Sequence, residues 1–186
     1  MKKLKSCTTS LTLIKVVLLC NLPKSNEIMK QVPTLYEWAG GKDAFEKLTK
    51  VFYDKVLKDD LLGPVFKNMS SEHSKHVAHF IVEVFGGPKL YTDEDKGSHS
   101  IMINRHVGKK LDEAKRKRWM QLLLETADEI GLPDDPEFRS ALVGYLEWGS
   151  RIAVINSNVD ENIVEEDEPM PKWGWGETGE PFIKQE

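Results

Sequence analysis

Between residues 34 and 158, apolar side chains recur every third and fourth position, and no segment alternates apolar with polar. A period near 3.6 cannot be satisfied by strands, so this stretch is confined to an all-α fold. Glycine and proline cut the pattern into pieces. Gly40-Gly41 precedes a stripe of Phe45, Leu48, Phe52, Val56 and Leu57, with Asp43 expected to cap it and Gly63-Pro64 near its end. Ser70 or Ser71 is placed to cap a second helix reaching Phe85, where Gly86-Gly87-Pro88 stops it. Residues 91–100 are polar and loop-like, and residues 101–107 have room for two short helical turns before Gly108. Asp112 heads a long helix ending near Gly131, with Trp119, Leu122, Leu123, Ala127 and Ile130 on one face. Asp135-Pro136-Glu137 gives the last helix a capping carboxylate, a first-turn proline and a first-turn acid.

The flanks differ from this core. Residues 1–33 read as an extension, disordered or from a non-native start. Its basic beginning and apolar run at 11–19 have the outline of a signal peptide, but Lys15 splits the run and no small-residue cleavage site follows. Residues 159–186 read as an acidic linker and an irregular arm rich in Trp, Gly and Pro. Trp173 and Trp175 are the side chains expected to dock that arm, because tryptophans rarely stay fully wet.

Composition then removes whole classes of function. A net charge of −4 lacks the basic excess of a nucleic-acid binder. No stretch is apolar and long enough to span a bilayer, so no membrane role is expected and the cytoplasm is the expected location. The two cysteines, Cys7 and Cys20, both lie in the N-terminal extension, which leaves the core without a disulfide framework or a thiolate metal site. Phosphate loops and nucleophile motifs are missing too. The run Lys115–Arg118 is expected to form the solvated face of its helix.

The five histidines lie between His73 and His106. At about 100° per residue, Val77, Phe80 and Val84 point within about 40° of His73, which puts His73 on the buried stripe of its helix. His76 sits on the margin of that stripe, and His79, about 120° away, is expected to face solvent. A polar residue on an apolar stripe needs a partner or a ligand: a backbone carbonyl suffices, and zinc bound by His73 and His76 would need ligands from elsewhere. His106 shares a helical face with Met102 and Ile103, whereas His99 has only Ser98, Ser100 and Gly97 around it. His106 is therefore the better candidate for a buried ligand. Taken alone, Tyr53 and Trp119 are equally well explained as packing residues.

Taken in order, these features resemble the truncated haemoglobins, specifically the second, bacterial-type group of that family. The resemblance is carried by Gly40-Gly41, VFYDKV around Tyr53, Gly86-Gly87-Pro88, HSIMINRH ending at His106, KRW ending at Trp119, and EWGSRIAVINS in the last helix. It implies a globin-like two-over-two helical sandwich over residues 34–158, with a short proximal helix preceded by a loop, built around haem b. It implies that His106 is the proximal iron ligand. Tyr53, His73 and Trp119 match distal positions facing a bound gas. Phe66, Val77, Phe80 and Met102 match the haem pocket, with His76 and Arg105 placed for the propionates.

The function implied is binding of oxygen or another diatomic gas, carbon monoxide or nitric oxide, with polar stabilisation on the distal side. The alternative is a redox enzyme, a nitric oxide dioxygenase or a peroxidase-like catalyst, which would need a separate reductase because no flavin or nicotinamide domain is evident. A third possibility is a haem-free helical interaction module. A monomer or a homodimer fits each of these.

Overall fold

A computed structural model describes residues 31–181; both cysteines and the signal-like run lie outside the described residues. The first helix, α1 (Leu35–Trp38), is short and starts with a capping box: Thr34 Oγ1 accepts from the Glu37 N–H, and the Glu37 carboxylate accepts from the Thr34 N–H. The Gly40-Gly41 pair turns the chain into α2 (Lys42–Val56). Gly41, at φ 76°, is the N-cap, so the sequence expectation for Asp43 is corrected by two residues. Asp43 lies inside the first turn instead, where its charge complements the helix dipole.

A single turn, α3 (Gly63–Phe66), leads to α4 (His73–Val84). No serine side chain caps α4; the His73 N–H reaches the Ser70 carbonyl through a tight turn. Beyond Gly86-Gly87-Pro88 the expected loop contains a π-helical turn, Leu90–Glu94. Then come α5 (His99–Asn104), α6 (Glu113–Glu129) and α7 (Pro136–Ser157). Ser98, Asp112 and Asp135 cap these three through their side chains. A single 3₁₀ turn, Gly176–Thr178, lies in the arm. There is no strand among the described residues.

The helices pack as two pairs. α2 packs on α4 and on α6, and α6 packs on α7. Aromatic edges fill the junctions: Phe45 meets Phe85 at 5.7 Å, Phe52 meets Trp119 at 5.4 Å, and Phe85 meets Tyr145 at 5.1 Å. Phe45, Phe52, Phe85 and Phe138 are almost wholly removed from water, each contributing about 1.5–3 kcal/mol of burial.

The C-terminal arm folds back on this core. The Trp173 indole donates to the Ala141 carbonyl at 2.9 Å, and its backbone N–H donates to the Val84 carbonyl at 2.9 Å. Trp175 donates to the Pro33 carbonyl at 2.7 Å and meets Trp38 edge-on at 6.1 Å. Both tryptophans thus use an apolar body and a polar tip together.

Within the segment between α4 and α5, Gly97 is packed closely against Tyr91. A side chain at Gly97 would run into the ring of Tyr91. Gly97→Ala is therefore expected to lower unfolding free energy by about 1–3 kcal/mol through overpacking. Gly149→Ala, inside α7 with no neighbour within 4 Å, is expected to be neutral or to stabilise by about 0.5–1 kcal/mol. Urea unfolding of the two variants beside wild type checks both.

Candidate functional site

Tyr53, Phe66 and His73 come together from three elements. α2 presents Tyr53, α3 ends with Phe66, and α4 begins with His73. The Tyr53 and His73 rings meet edge-on at 4.7 Å, Tyr53 and Phe66 at 5.5 Å, and Phe66 and His73 at 6.0 Å. Tyr53 is buried, whereas a purely packing tyrosine could have kept its hydroxyl at the surface. Burial pushes its hydroxyl well above the ordinary tyrosine range, so it stays a protonated donor. A cleft of about 380 Å³ opens beside Tyr53 and Phe66, rimmed by Lys50, Asp54 and Ser70.

Trp119 joins this group indirectly. It packs on Phe52, whose ring lies 4.9 Å from Tyr53. Two arginines just before it, Arg116 and Arg118, fix its helix to other segments, contrary to the expectation of a solvated face at residues 115–118. Arg116 is buried and bonds to Glu113 at 2.6 and 2.7 Å and to Glu147 on α7 at 2.5 Å. Arg118 bonds to Asp59 at 2.6 Å, and the same Asp59 carboxylate accepts the Leu61 and Leu62 N–H groups. The Arg118 bond, with these N–H donors, holds the Asp59 carboxyl below the usual carboxylate range. These pairs lock α6 to α7 and to the chain that follows α2.

His106 follows α5 directly. Its Nδ1 lies 3.0 Å from the Met102 carbonyl, and a carbonyl only accepts, so Nδ1 carries the proton. The Nε2 lone pair is then free for a metal. Burial lowers the affinity of His106 for a second proton, and the Met102 bond partly opposes this. That donor chemistry fits a haem iron: a neutral, oriented imidazole with one free nitrogen. On the other side, the His73 Nε2 is buried without a hydrogen-bond partner among the described residues. Burial, aided by the charges of His106, His76 and Arg105, pushes His73 down to about 4, which also keeps it neutral.

The remaining predicted residues take varied positions. Val77, Met102 and Phe66 are partly buried against the core, and Phe80 is buried with its ring 5.2 Å from Tyr91. His76 is partly exposed, with Nε2 3.9 Å from Asp95. Arg105 is exposed at the end of α5. Among the described residues no three His, Cys, Asp or Glu side chains cluster as a metal site, so nothing supplies the further ligands that zinc on His73 and His76 would require.

His79 departs most from the sequence reading. The helical wheel pointed it at solvent, yet it has no exposure at all. Its Nδ1 donates to Asp95 at 2.8 Å. The reason is that the π-helical turn and Asp95 fold over the face of α4 that the wheel left open. Glu83 on the same helix takes both the N–H and the hydroxyl of Thr92, each at 3.0 Å. The sequence signal was the acidic run Asp93-Glu94-Asp95, which offered carboxylates to any buried N–H donor nearby.

Comparison with known proteins places the chain. The bacterial-like globin family matches residues 34–147, more than half of the sequence, and the chain belongs to that family. It is 27% identical over 121 residues to the group 2 truncated hemoglobin YjbI of Bacillus subtilis, covering 65% of this chain and 89% of that protein. It is 34% identical over 107 residues to a group 1 truncated hemoglobin of Tetrahymena thermophila, covering 57% of this chain and 84% of the relative. Among solved structures, the group II truncated hemoglobin of Bacillus anthracis matches with a TM-score of 0.61 at 26% identity, covering 75% of this chain and 99% of that one. The fold is therefore the truncated globin fold, and haem-linked gas binding is the general property that family membership brings. Among the described residues no helix is long and apolar enough to cross a membrane.

The neutral state of His73 has a measurable consequence for the haem-free chain. An unfolded histidine takes up its proton near 6.5, whereas folded His73 waits until about 4. Between those values the unfolded chain binds more protons, so stability falls as pH drops from about 6.5 to about 4. His73→Leu removes this contribution, and its stability is expected to fall less steeply over that window. Denaturant titrations at half-unit pH steps compare the two slopes, with His106 maintaining a residual slope in both.

Proposed function

We propose that this protein binds haem b between α4 and α5 through His106 and holds a diatomic gas, oxygen foremost, on the side of Tyr53, His73 and Trp119. The single observation that carries this reading is the pair of neutral imidazoles: His106, with Nδ1 committed to the Met102 carbonyl, and His73, with a buried nitrogen that nothing else engages. Haem, when bound, supplies the iron at which the gas attaches.

The chain's own residues do the rest. His106 presents Nε2 in a direction fixed by the bond from its Nδ1 to the Met102 carbonyl. Tyr53 keeps a protonated hydroxyl in a buried setting, and such donors stabilise negative charge that develops on a polar ligand far better than water does. Trp119 offers an indole N–H from a helix held by Arg116 and Arg118. His73 sets the polarity of the entrance to this space. Phe66, Val77, Phe80 and Met102 supply apolar walls that exclude water. His76 and Arg105 would be the partners of the propionates. Strong donors around a ligand slow its release, which suits retention or chemistry more than rapid delivery.

The test is an absorption spectrum of the purified full chain with hemin: ferric, reduced, and reduced with carbon monoxide. Wild type is expected to show a strong Soret band that shifts on reduction and again on carbon monoxide addition. His106→Ala is expected to lose the band or change its position, with restoration by added imidazole. No Soret band in wild type after hemin addition would sink the proposal. Separately, Tyr53→Phe and Trp119→Phe are each expected to speed oxygen release by about 10-fold or more in stopped flow, the loss of one strong buried donor.

A further inference from the structure

His79 takes part in none of the distal or proximal contacts, yet it is fully buried at the centre of the fold. Its Nδ1 donates to Asp95 at 2.8 Å, and the Asp95 side chain is itself only 8% exposed. On the opposite edge of the ring, Nε2 faces Glu46 of α2 at 3.4 Å without a hydrogen bond among the described residues. The imidazole therefore sits where three segments meet, and its one hydrogen bond ties α4 to the connection. α2 carries Tyr53, α4 carries His73, and the third is the connection that leads into α5 and His106. A hydrogen bond to a carboxylate is directional, whereas an apolar side chain of the same size would fill the space without fixing an orientation.

The connection downstream of Asp95 is short and has no slack. Gly97 lies against the Tyr91 ring, and its N–H donates to the Tyr91 carbonyl at 2.8 Å. Ser98 follows as the N-cap of α5, its hydroxyl accepting from the Ile101 N–H at 3.1 Å. α5 has 6 residues, and His106 comes just after it. A movement of Asp95 is thus transmitted to the start of α5 and on to the proximal imidazole. The Thr92–Glu83 clamp holds the upstream end of the connection independently, so the chain stays attached to α4 when the His79 bond is lost.

We propose that His79 is a positioning residue for the proximal ligand: its bond to Asp95 sets where α5 begins against the distal helix, and so how the His106 ring faces the haem iron. This rests on the haem-binding reading above. Distal and proximal walls are then joined through this buried ring as well as through the Thr92–Glu83 clamp and the haem between them.

The experiment uses the full chain loaded with hemin, comparing wild type with His79→Leu, His79→Asn, Asp95→Ala and Thr92→Val. Asn places an amide N–H close to the position of Nδ1 and keeps the donor; Leu keeps the volume alone. Two readouts are taken: the iron–imidazole stretching band of the reduced protein by resonance Raman, and the rate of hemin transfer to excess apomyoglobin. His79→Leu and Asp95→Ala are expected to bind hemin with a shifted or broadened band and to lose it about 10-fold faster, the scale seen when a group that orients a metal ligand is removed. His79→Asn should stay within about twofold of wild type, and the His79→Leu/Asp95→Ala double variant should be no worse than either single one, the signature of one shared interaction. Thr92→Val should lower thermal stability while leaving the band in place.

The proposal is overturned if His79→Leu matches wild type in both readouts, if Asn behaves like Leu, or if Thr92→Val moves the band equally. In each of these outcomes wild type still shows a haem spectrum, so the haem reading survives. Failure of wild type itself to take up hemin would remove both. Should His79→Leu not fold, Asp95→Ala and His79→Asn carry the same comparison.

Discussion

The aromatic stripe of α2 is the constraint on which the rest of this structure depends. Phe45, Phe52 and Tyr53 leave one helix in directions that meet three different partners: Phe85 after α4, Trp119 on α6, and His73 at the head of α4. Interiors pack at crystalline density and are not continuously deformable. The rings of α2 therefore fix the separation of the two helices beside it as well as filling space. The group of Tyr53, Phe66 and His73 has its shape because Phe52 and Tyr53 are sequence neighbours whose rings meet different partners, Trp119 and His73.

Polar groups are buried in this fold in two distinct ways. Arg116 is buried and charged, paired with Glu113 and Glu147, and with the half-buried Arg118–Asp59 pair it holds α6 to its neighbours. His73 and His106 are kept neutral by their surroundings. A charge in those positions would need a partner, and a neutral imidazole can serve a metal instead. The first kind of burial builds the frame, and the second leaves reactive nitrogen inside it.

Much of this was legible in the sequence. Periodicity and breakers located the main helices, because amphipathic spacing and Gly-Pro punctuation are local properties. The caps at Asp112 and Asp135 followed for the same reason, whereas Asp43 missed the cap position by two residues because Gly41 could take a backbone conformation that other residues resist. Tyr53, Phe66 and His73 were named separately, and the structure brings them within ring contact. What stayed hidden depended on a second segment. A helical wheel orients His79 within its own helix and knows nothing of the turn that covers it. Arg116 and Arg118 looked like surface charges because their partners, Glu147 and Asp59, lie 31 and 59 residues away.

The arm's attachment through Trp175 also bears on how the molecule comes apart. Its bond to Pro33 joins positions 142 residues apart, a separation that makes loop closure costly before much of the helical core exists. The helices, in contrast, are built on local contacts. A seam of this kind that closes only after the rate-limiting step of folding would add little to folding speed. Interactions absent from the transition state act on the reverse reaction, so the arm would then act as a brake on unfolding. The chain's last tryptophan would in that case prolong the lifetime of a fold that its middle segments already specify.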